Sequence, residues 1–275
     1  MRRAALHDLP IHFILVLFGA ITFYPFVFTI LTSFKTSFQI SHNFWGLPTS
    51  AELSNYRDAW TRLYPYLLNS LIVTSATVVG VLFVSSLAAY VFARFDFPGR
   101  EFLFILIICL LMIPSILLLV PQFLMVKSLR LLNTRWALIL PYIAGGQVFA
   151  IFILRSFMEA IPNELFDAGS IDGLSTVGAY RHIAIPMSIP VLSTVAILNI
   201  LGTWNDYVWP LVTISKTFLW TISVGIASFA QRTGSFETRG VMFAGYVIAS
   251  APLVILFFFT MRSFIKGISS GALKV

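Results

Sequence analysis

Six apolar runs, each about the length a bilayer demands, constrain this 275-residue chain more than any motif in it. Roughly twenty apolar residues cross the hydrocarbon core as a helix. Lipid offers no partner to an unpaired backbone group, so helix is the form that such runs take. They lie at approximately 11–31, 67–92, 102–124, 137–155, 187–209 and 241–261. Charged residues make up 11% of the chain, against about 25% in soluble domains. The expected class is all-α: a single multi-pass membrane domain over residues 1–275 with six transmembrane helices. Met1-Arg2-Arg3 precedes the first run as in a secretory leader. That run is longer than a leader core and has no small-residue cleavage pattern after it, so a retained anchor is expected. The single cysteine, Cys109, leaves no internal disulfide to form.

An even number of spans puts both termini on one side, and Lys/Arg counts should choose that side. Nine of the 18 basic residues fall on the terminal side and nine opposite, so charge does not orient the chain. The net charge of +7 is scattered, which suits anionic headgroups and excludes a nucleic-acid patch. Trp45, Trp60, Trp136, Trp204, Trp209 and Trp220 all fall opposite the termini, either as an interfacial aromatic belt or as rings on which a sugar stacks. Residues 32–66 read as a polar connection too short for a separate domain, and residues 125–136 and 210–240 as outer loops, the last long enough to meet a partner. Arg94–Glu101 reads as a tight turn on the other side.

The spans carry no acid or base at their centres, which disfavours an ion-coupled carrier. Ser70, Thr74 and Thr77 share one helix face, either as packing hydroxyls or as a polar path. Gln122, Gln147, Asn199 and Asn205 are further polar groups at membrane depth. Ala76/Gly80, Ser85/Ala89 and Gly245/Ala249 are small-residue pairs suited to close helix approach. His7, His12, His42 and His182 form no metal pattern, and there is no nucleophile turn or phosphate-binding loop. The chain is therefore not expected to be an enzyme or to bind a metal or cofactor.

One segment breaks the apolar rhythm. Residues 156–186, and above all Ile161–Pro190, carry acids, two Asp/Gly positions and three prolines, so they must face water. Asn163 is placed to cap a short helix, with Glu164 and Asp167 favoured near its N-terminus. Leu165, Phe166, Ala168 and Ile171 supply its apolar side. Gly169 suggests a surface pressing closely there, and Asp172-Gly173 should stop the helix in a left-handed turn. Ser175 or Thr176 then caps a second helix, and Pro186 should close the excursion before the fifth span. Two short helices make a knob suited to mechanical docking.

At these residues the chain resembles the permease subunits of bacterial ATP-binding-cassette importers. Their EAA loop reads roughly E-A-A-x-x-x-G followed by I-x-L-P. Here the run is Asp167-Ala168-Gly169-Ser170-Ile171-Asp172-Gly173, then Ile183-Ala184-Ile185-Pro186. Asp stands for the leading Glu, Gly for the second Ala and Ile for Leu. Further landmarks make the resemblance narrow to carbohydrate importers, with a maltose-permease G-like subunit. They are Ser33-Phe34-Lys35-Thr36, Asn55-Tyr56, Asn69-Ser70, Ala88-Ala89-Tyr90, Phe97-Pro98-Gly99-Arg100, Trp204-Asn205-Asp206 and Gly267–Lys274.

The resemblance implies the type I importer permease fold in a bacterial cell membrane, with both termini cytoplasmic. It implies as partners a homologous second permease, two cytoplasmic ATPases that hold the ATP and Mg, and an extracytoplasmic solute-binding protein. It places Glu164, Leu165, Asp167, Ala168, Gly169, Asp172, Gly173 and Pro186 at the ATPase contact, with the tail Gly271, Ala272, Leu273, Lys274 and Val275 nearby. Ser70, Thr74, Thr77, Gln122, Asn199 and Asn205 are the expected translocation-path residues. The function implied is alternating-access import of sugars or related solutes. A channel or secondary carrier working without ATPases is the alternative.

Overall fold

Every apolar run is helical over most of its length in the computed structural model, which describes residues 9–233 and 238–272. The α-helices are α1 (Leu9–Ser33), α2 (Ser37–His42), α3 (Ser54–Arg94), α4 (Arg100–Cys109), α5 (Leu119–Ser128), α6 (Trp136–Glu159), α7 (Asn163–Ile171), α8 (Thr176–Ala179), α9 (Ile185–Asn205), α10 (Val208–Thr213), α11 (Ile222–Thr233) and α12 (Arg239–Ala272). Five helices are long and apolar enough to span a membrane, and a bent pair brings the number to six. No strand occurs among the described residues. By their internal packing the helices group into two units, Met1–Tyr64 with Gly225–Pro252 and Pro65–Val224 with Leu253–Val275.

The structure changes four expectations about these elements. The third span, expected to be continuous over 102–124, is bent by 96° between Arg100–Met112 and Ser115–Ser128. Pro114 has no N–H to give, and it pushes Ile113 into extended backbone (φ −86°, ψ 116°). The second span starts at Ser54, not 67, and at 41 residues it is about 60 Å long. Asn55, Ala59, Leu63 and Leu67 are buried at intervals of four along it. Its outward face carries Arg57, Asp58 and Arg62, which lower the mean hydropathy and hide the helix from a search for apolar runs. The expected loop 210–240 contains α10, α11 and a 3-10 turn at Thr217–Leu219. The tryptophans are not one belt: Trp45, Trp60 and Trp136 are exposed, but Trp204 and Trp209 are buried.

In the first unit the sequence landmarks are ties between backbone segments. Lys35 is 1% exposed, and its ammonium donates to the carbonyls of Phe44 (2.7 Å) and Asn43 (3.4 Å). Burial pushes its pKa below the ordinary lysine value. Asn55 Nδ2 donates to the carbonyls of Ser33 and Lys35 at 2.9 and 3.0 Å. Thr36 and Gln39 form a capping box at the start of α2. Gly245 is buried where a Cβ would meet Phe229 and Leu63.

In the second unit, Arg155 fastens α4 to α6. Its guanidinium donates to Glu101 (2.6 Å) and Glu159 (2.7 Å) and lies 3.8 Å over the Phe104 ring. Gly80 lets α3 approach α6 closely, since a Cβ there would overlap the Ile143 side chain. The remaining faces of α3 present Val79, Phe83, Val84 and Val91 outward, an apolar exterior that lipid must cover.

Gly80→Leu should therefore lower stability by about 1–3 kcal/mol through overpacking. Gly19→Ala, at a site with nothing within 4 Å, should leave stability unchanged or raise it by under about 1 kcal/mol. Thermal unfolding of the two variants in detergent checks the contrast.

Candidate functional site

The water-facing segment folds as one helix, one tight turn and the start of a second helix. Asn163 does not cap α7: Pro162 occupies the cap position and makes no side-chain bond. The Asn163 side chain instead accepts from Arg94 Nη1 at 2.5 Å. At the other end the helix closes in a Schellman motif. Leu174 N–H donates to the Gly169 carbonyl (2.9 Å), Gly173 N–H donates to the Ser170 carbonyl (3.1 Å), and Gly173 takes φ +81°. This motif brings Leu174 back over Gly169, where an added Cβ would lie 3.1 Å from Leu174 Cδ1 and 2.9 Å from Ile183 Cδ1. Gly169 is buried, so the surface that presses on it belongs to this same loop.

Ser175 caps the next helix as expected, accepting from Gly178 N–H at 3.2 Å. That helix is not short, and Pro186 does not end the excursion. From Thr176 the chain is helical to Asn205, 30 residues, through a π-helical stretch at Tyr180–Ala184. Pro186 and Pro190 both lack the N–H that regular helix would use in this region, and a wider turn precedes them. The fifth span and the second helix of the knob are thus one rod.

The C-terminal end of α3 grips this knob through one stripe at four-residue spacing. Ser86 Oγ and Tyr180 Oη share a hydrogen bond of 2.8 Å. Tyr90 donates to the Thr176 carbonyl (3.3 Å), and its ring meets those of Phe166 and Tyr180. Arg94 donates to the carbonyls of Met158 and Ile161 (the latter 2.6 Å), to Asn163, and stacks 4.1 Å over Phe166. Sequence reasoning saw Tyr90 and Arg94 only as a landmark and a charge to be counted. Their spacing was visible, but their hydrogen-bond partners lie 64–86 residues away. With Gly169 turned inward, the outward face of the knob offers Glu164, Leu165, Asp167, Ala168, Ile171 and Asp172. Ile171 is 87% exposed and Val177 72%.

A second feature lies beside the broken third span. A cavity of about 490 Å³ is lined by residues of that span's second half, of α6, of α9 and of the Asp206–Trp209 corner. Gly145 and Gly202 form part of its wall, with nothing within 4 Å of an added Cβ. Of the expected path residues, Gln122 and Asn199 line it. Asn199 Nδ2 bonds back to the Val195 carbonyl (2.9 Å), which leaves its Oδ1 free of that bond. Ser70, Thr74 and Thr77 do not line it; they are buried between helices, and Ser70 Oγ accepts from Ile222 N–H at 2.8 Å. Asn205 also points elsewhere, exposed and bonded to the Leu201 carbonyl. Its neighbour Asp206 takes the place expected of it. Asp206 accepts from Tyr142 Oη at 2.8 Å and from the N–H groups of Val208 (3.0 Å) and Trp209 (3.3 Å). Of the tail, Gly271 and Ala272 end α12, and Leu273, Lys274 and Val275 lie outside the described residues.

Arg94→Lys should loosen the knob, because a point-charge ammonium cannot span acceptors that a planar guanidinium reaches together. A hydrogen bond to a charged group is worth about 1.5–3 kcal/mol. Amide exchange over residues 158–174 should accelerate about tenfold or more, with the exchange of residues 70–85 unchanged.

Comparison with known proteins agrees with this architecture. The sequence family described as "Binding-protein-dependent transport system inner membrane component" matches residues 81–270. The diacetylchitobiose uptake system permease protein of Streptomyces coelicolor is 32% identical over 265 residues, 96% of this chain and 88% of that protein. The arabinooligosaccharides transport system permease protein of Halalkalibacterium halodurans is 35% identical over 272 residues, covering 97% and 95%. In fold, the chain is similar to one in the crystal structure of a bacterial transporter importing the acidic polysaccharide alginate. The TM-score is 0.85 at 20% identity, covering 96% of this chain and 98% of that one. The chain belongs to the binding-protein-dependent transport system inner membrane components, the multi-pass permease subunits of ATP-binding-cassette transporters.

Proposed function

We propose that this chain is one half of the translocation path of an ATP-driven oligosaccharide importer, moved by ATPases that dock on the Ile161–Pro190 knob. The second half is a homologous permease, two cytoplasmic ATPases hold ATP and Mg, and an external binding protein delivers the cargo. Both termini then face the cytoplasm with the knob. The observation that carries this reading is the knob itself. An Ile that is 87% exposed at the tip of a polar, water-facing loop is costly unless a partner covers it. The knob is also stiff, since α7 is closed by the Schellman turn and held by Arg94 and Tyr90. Stiffness matters because reversing a 1:99 conformational preference takes about 5.5 kcal/mol of differential binding. A floppy loop would absorb that energy in its own motion.

Glu164, Leu165, Asp167, Ala168, Ile171 and Asp172 form the contact in this reading. Gly169, Gly173 and Pro186 shape the knob, and the tail Gly271–Val275 approaches the same partners. Relatives named for diacetylchitobiose, arabinooligosaccharides and alginate support saccharide cargo, though those names span both neutral and acidic chains.

Ile171→Asp should cut ATP-dependent uptake by the reconstituted assembly at least tenfold. Membrane insertion and the thermal midpoint of the isolated chain should stay nearly unchanged, because Ile171 is 87% exposed in the chain itself. Uptake that persists in Ile171→Asp, or transport by the chain purified without any nucleotide-binding subunit, would favour the ATPase-independent carrier instead.

A further inference from the structure

The cavity beside the broken span has an unequal chemistry. Its polar groups are Asp206, Tyr142, Asn199, Gln122, Thr203 and Ser115, and no Lys, Arg or His lines it. The one formal charge is negative. Tyr142 donates its O–H to Asp206, so the phenol oxygen is left to accept. Asn199 spends one of its two amide N–H donors on its own helix, which leaves the second N–H and the carbonyl oxygen. Asp206 uses three of about four lone-pair sites on Tyr142, Val208 and Trp209, and keeps one. The backbone N–H groups of Val208 and Trp209, which could have received an anion, are spent on Asp206. Gln122 has no hydrogen-bond partner among the described residues and lies on a different wall.

We infer that this cavity takes neutral, polyhydroxylated solutes and rejects carboxylated ones, so that the cargo is a neutral oligosaccharide and not a uronate chain. The inference rests on the importer reading above and names the substrate class of that path. Sugar hydroxyls donate and accept in one group, so they satisfy oxygen acceptors and the Gln122 amide alike. A carboxylate donates nothing. It would lose its water, find no cation, and face the Asp206 charge in a site of low dielectric. The cavity's volume falls within the roughly 300–1,000 Å³ usual for small-molecule sites. Its position beside a discontinuous span is where membrane carriers place solute.

The test uses sugar pairs that differ only in oxidation at one carbon: glucose with glucuronate, and galactose with galacturonate. Saturation-transfer NMR on the full permease–ATPase assembly in nanodiscs, without the binding protein, reads weak occupancy directly. The neutral member of at least one pair should give a signal at least tenfold stronger than its uronate. In Asp206→Asn, which keeps an oxygen to cap Val208 and Trp209, that ratio should fall to within about threefold. Gln122→Lys, which adds a cation on the opposite wall, should lower it too and serves where Asp206→Asn fails to assemble. Uronate signals equal to the neutral ones in the wild type, no neutral signal, or a ratio unmoved by both variants would overturn the inference. ATP-driven uptake by the complete assembly with its binding protein separates the two readings. If uptake of some saccharide occurs while uronates bind equally, only the charge selectivity falls; if no saccharide is taken up, the importer reading falls with it.

Discussion

Arg94 is the interaction on which the working half of the structure depends. One guanidinium reaches the carbonyls that end α6, the first side chain of α7 and the Phe166 ring. Without it, the Met158 carbonyl would keep only backbone donors such as Ile161 N–H (3.3 Å), the Ile161 carbonyl would lose its guanidinium donor, and α7 would have no side-chain tie at its N-terminus, since Pro162 cannot cap it. Tyr90 and Ser86 extend the same grip along α3 to Thr176 and Tyr180. The knob is therefore mounted on the second span and does not merely connect the fourth and fifth. Any force on its tip is shared with α3 from the start.

The cavity depends on a different constraint, the intolerance of lipid for free backbone groups. A helix broken by 96° at membrane depth survives only where its exposed ends meet protein or a polar space. Here the break at Ile113–Pro114 stands next to Ser115 and Gln122, which face the cavity with Gly145 and Gly202 across from them. The glycines supply room and Pro114 supplies the break. Asp206 holds the corner at which α9 stops and α10 begins, so the cavity's one charge is also the residue that shapes its outer end.

The sequence made legible whatever is set locally. Bilayer length picks out the spans, Gly173 announces a left-handed turn, and Ser175 announces a cap, because each depends on residues within one or two turns of itself. What it hid depends on distant partners. Asn163 has the right chemistry for a cap, yet Arg94, 69 residues earlier, claims its oxygen. Gly169 read as a place for a foreign surface, but Leu174 and Ile183 fill that space. Asn205 is the last residue of α9 and Asp206 the first of the extended corner (φ −67°, ψ 124°), and nothing in a run of Trp-Asn-Asp says where between them the helix stops. The Ser70/Thr74/Thr77 face reads as one stripe; that it is buried inside this chain follows only from packing.

The two features are joined by a single rod. The helical run that begins at Thr176, inside the knob, continues to Asn205 and carries Asn199 and Thr203 into the cavity wall. Twenty-three residues of helix separate Thr176 from Asn199, about 35 Å. A continuous helix moves its far end when its near end moves, so no chain of intermediate contacts is needed to link docking with solute. The π-helical stretch at Tyr180–Ala184 is the point at which this rod departs from regular geometry, and Tyr180 there bonds to Ser86 of α3. Wide turns of this kind are rare inside helices and are found frequently at functional sites. The rod is accordingly tied to the second span at its π-helical stretch, so in the docking proposed for the knob a displacement of Thr176 would act on α3 as well as on Asn199.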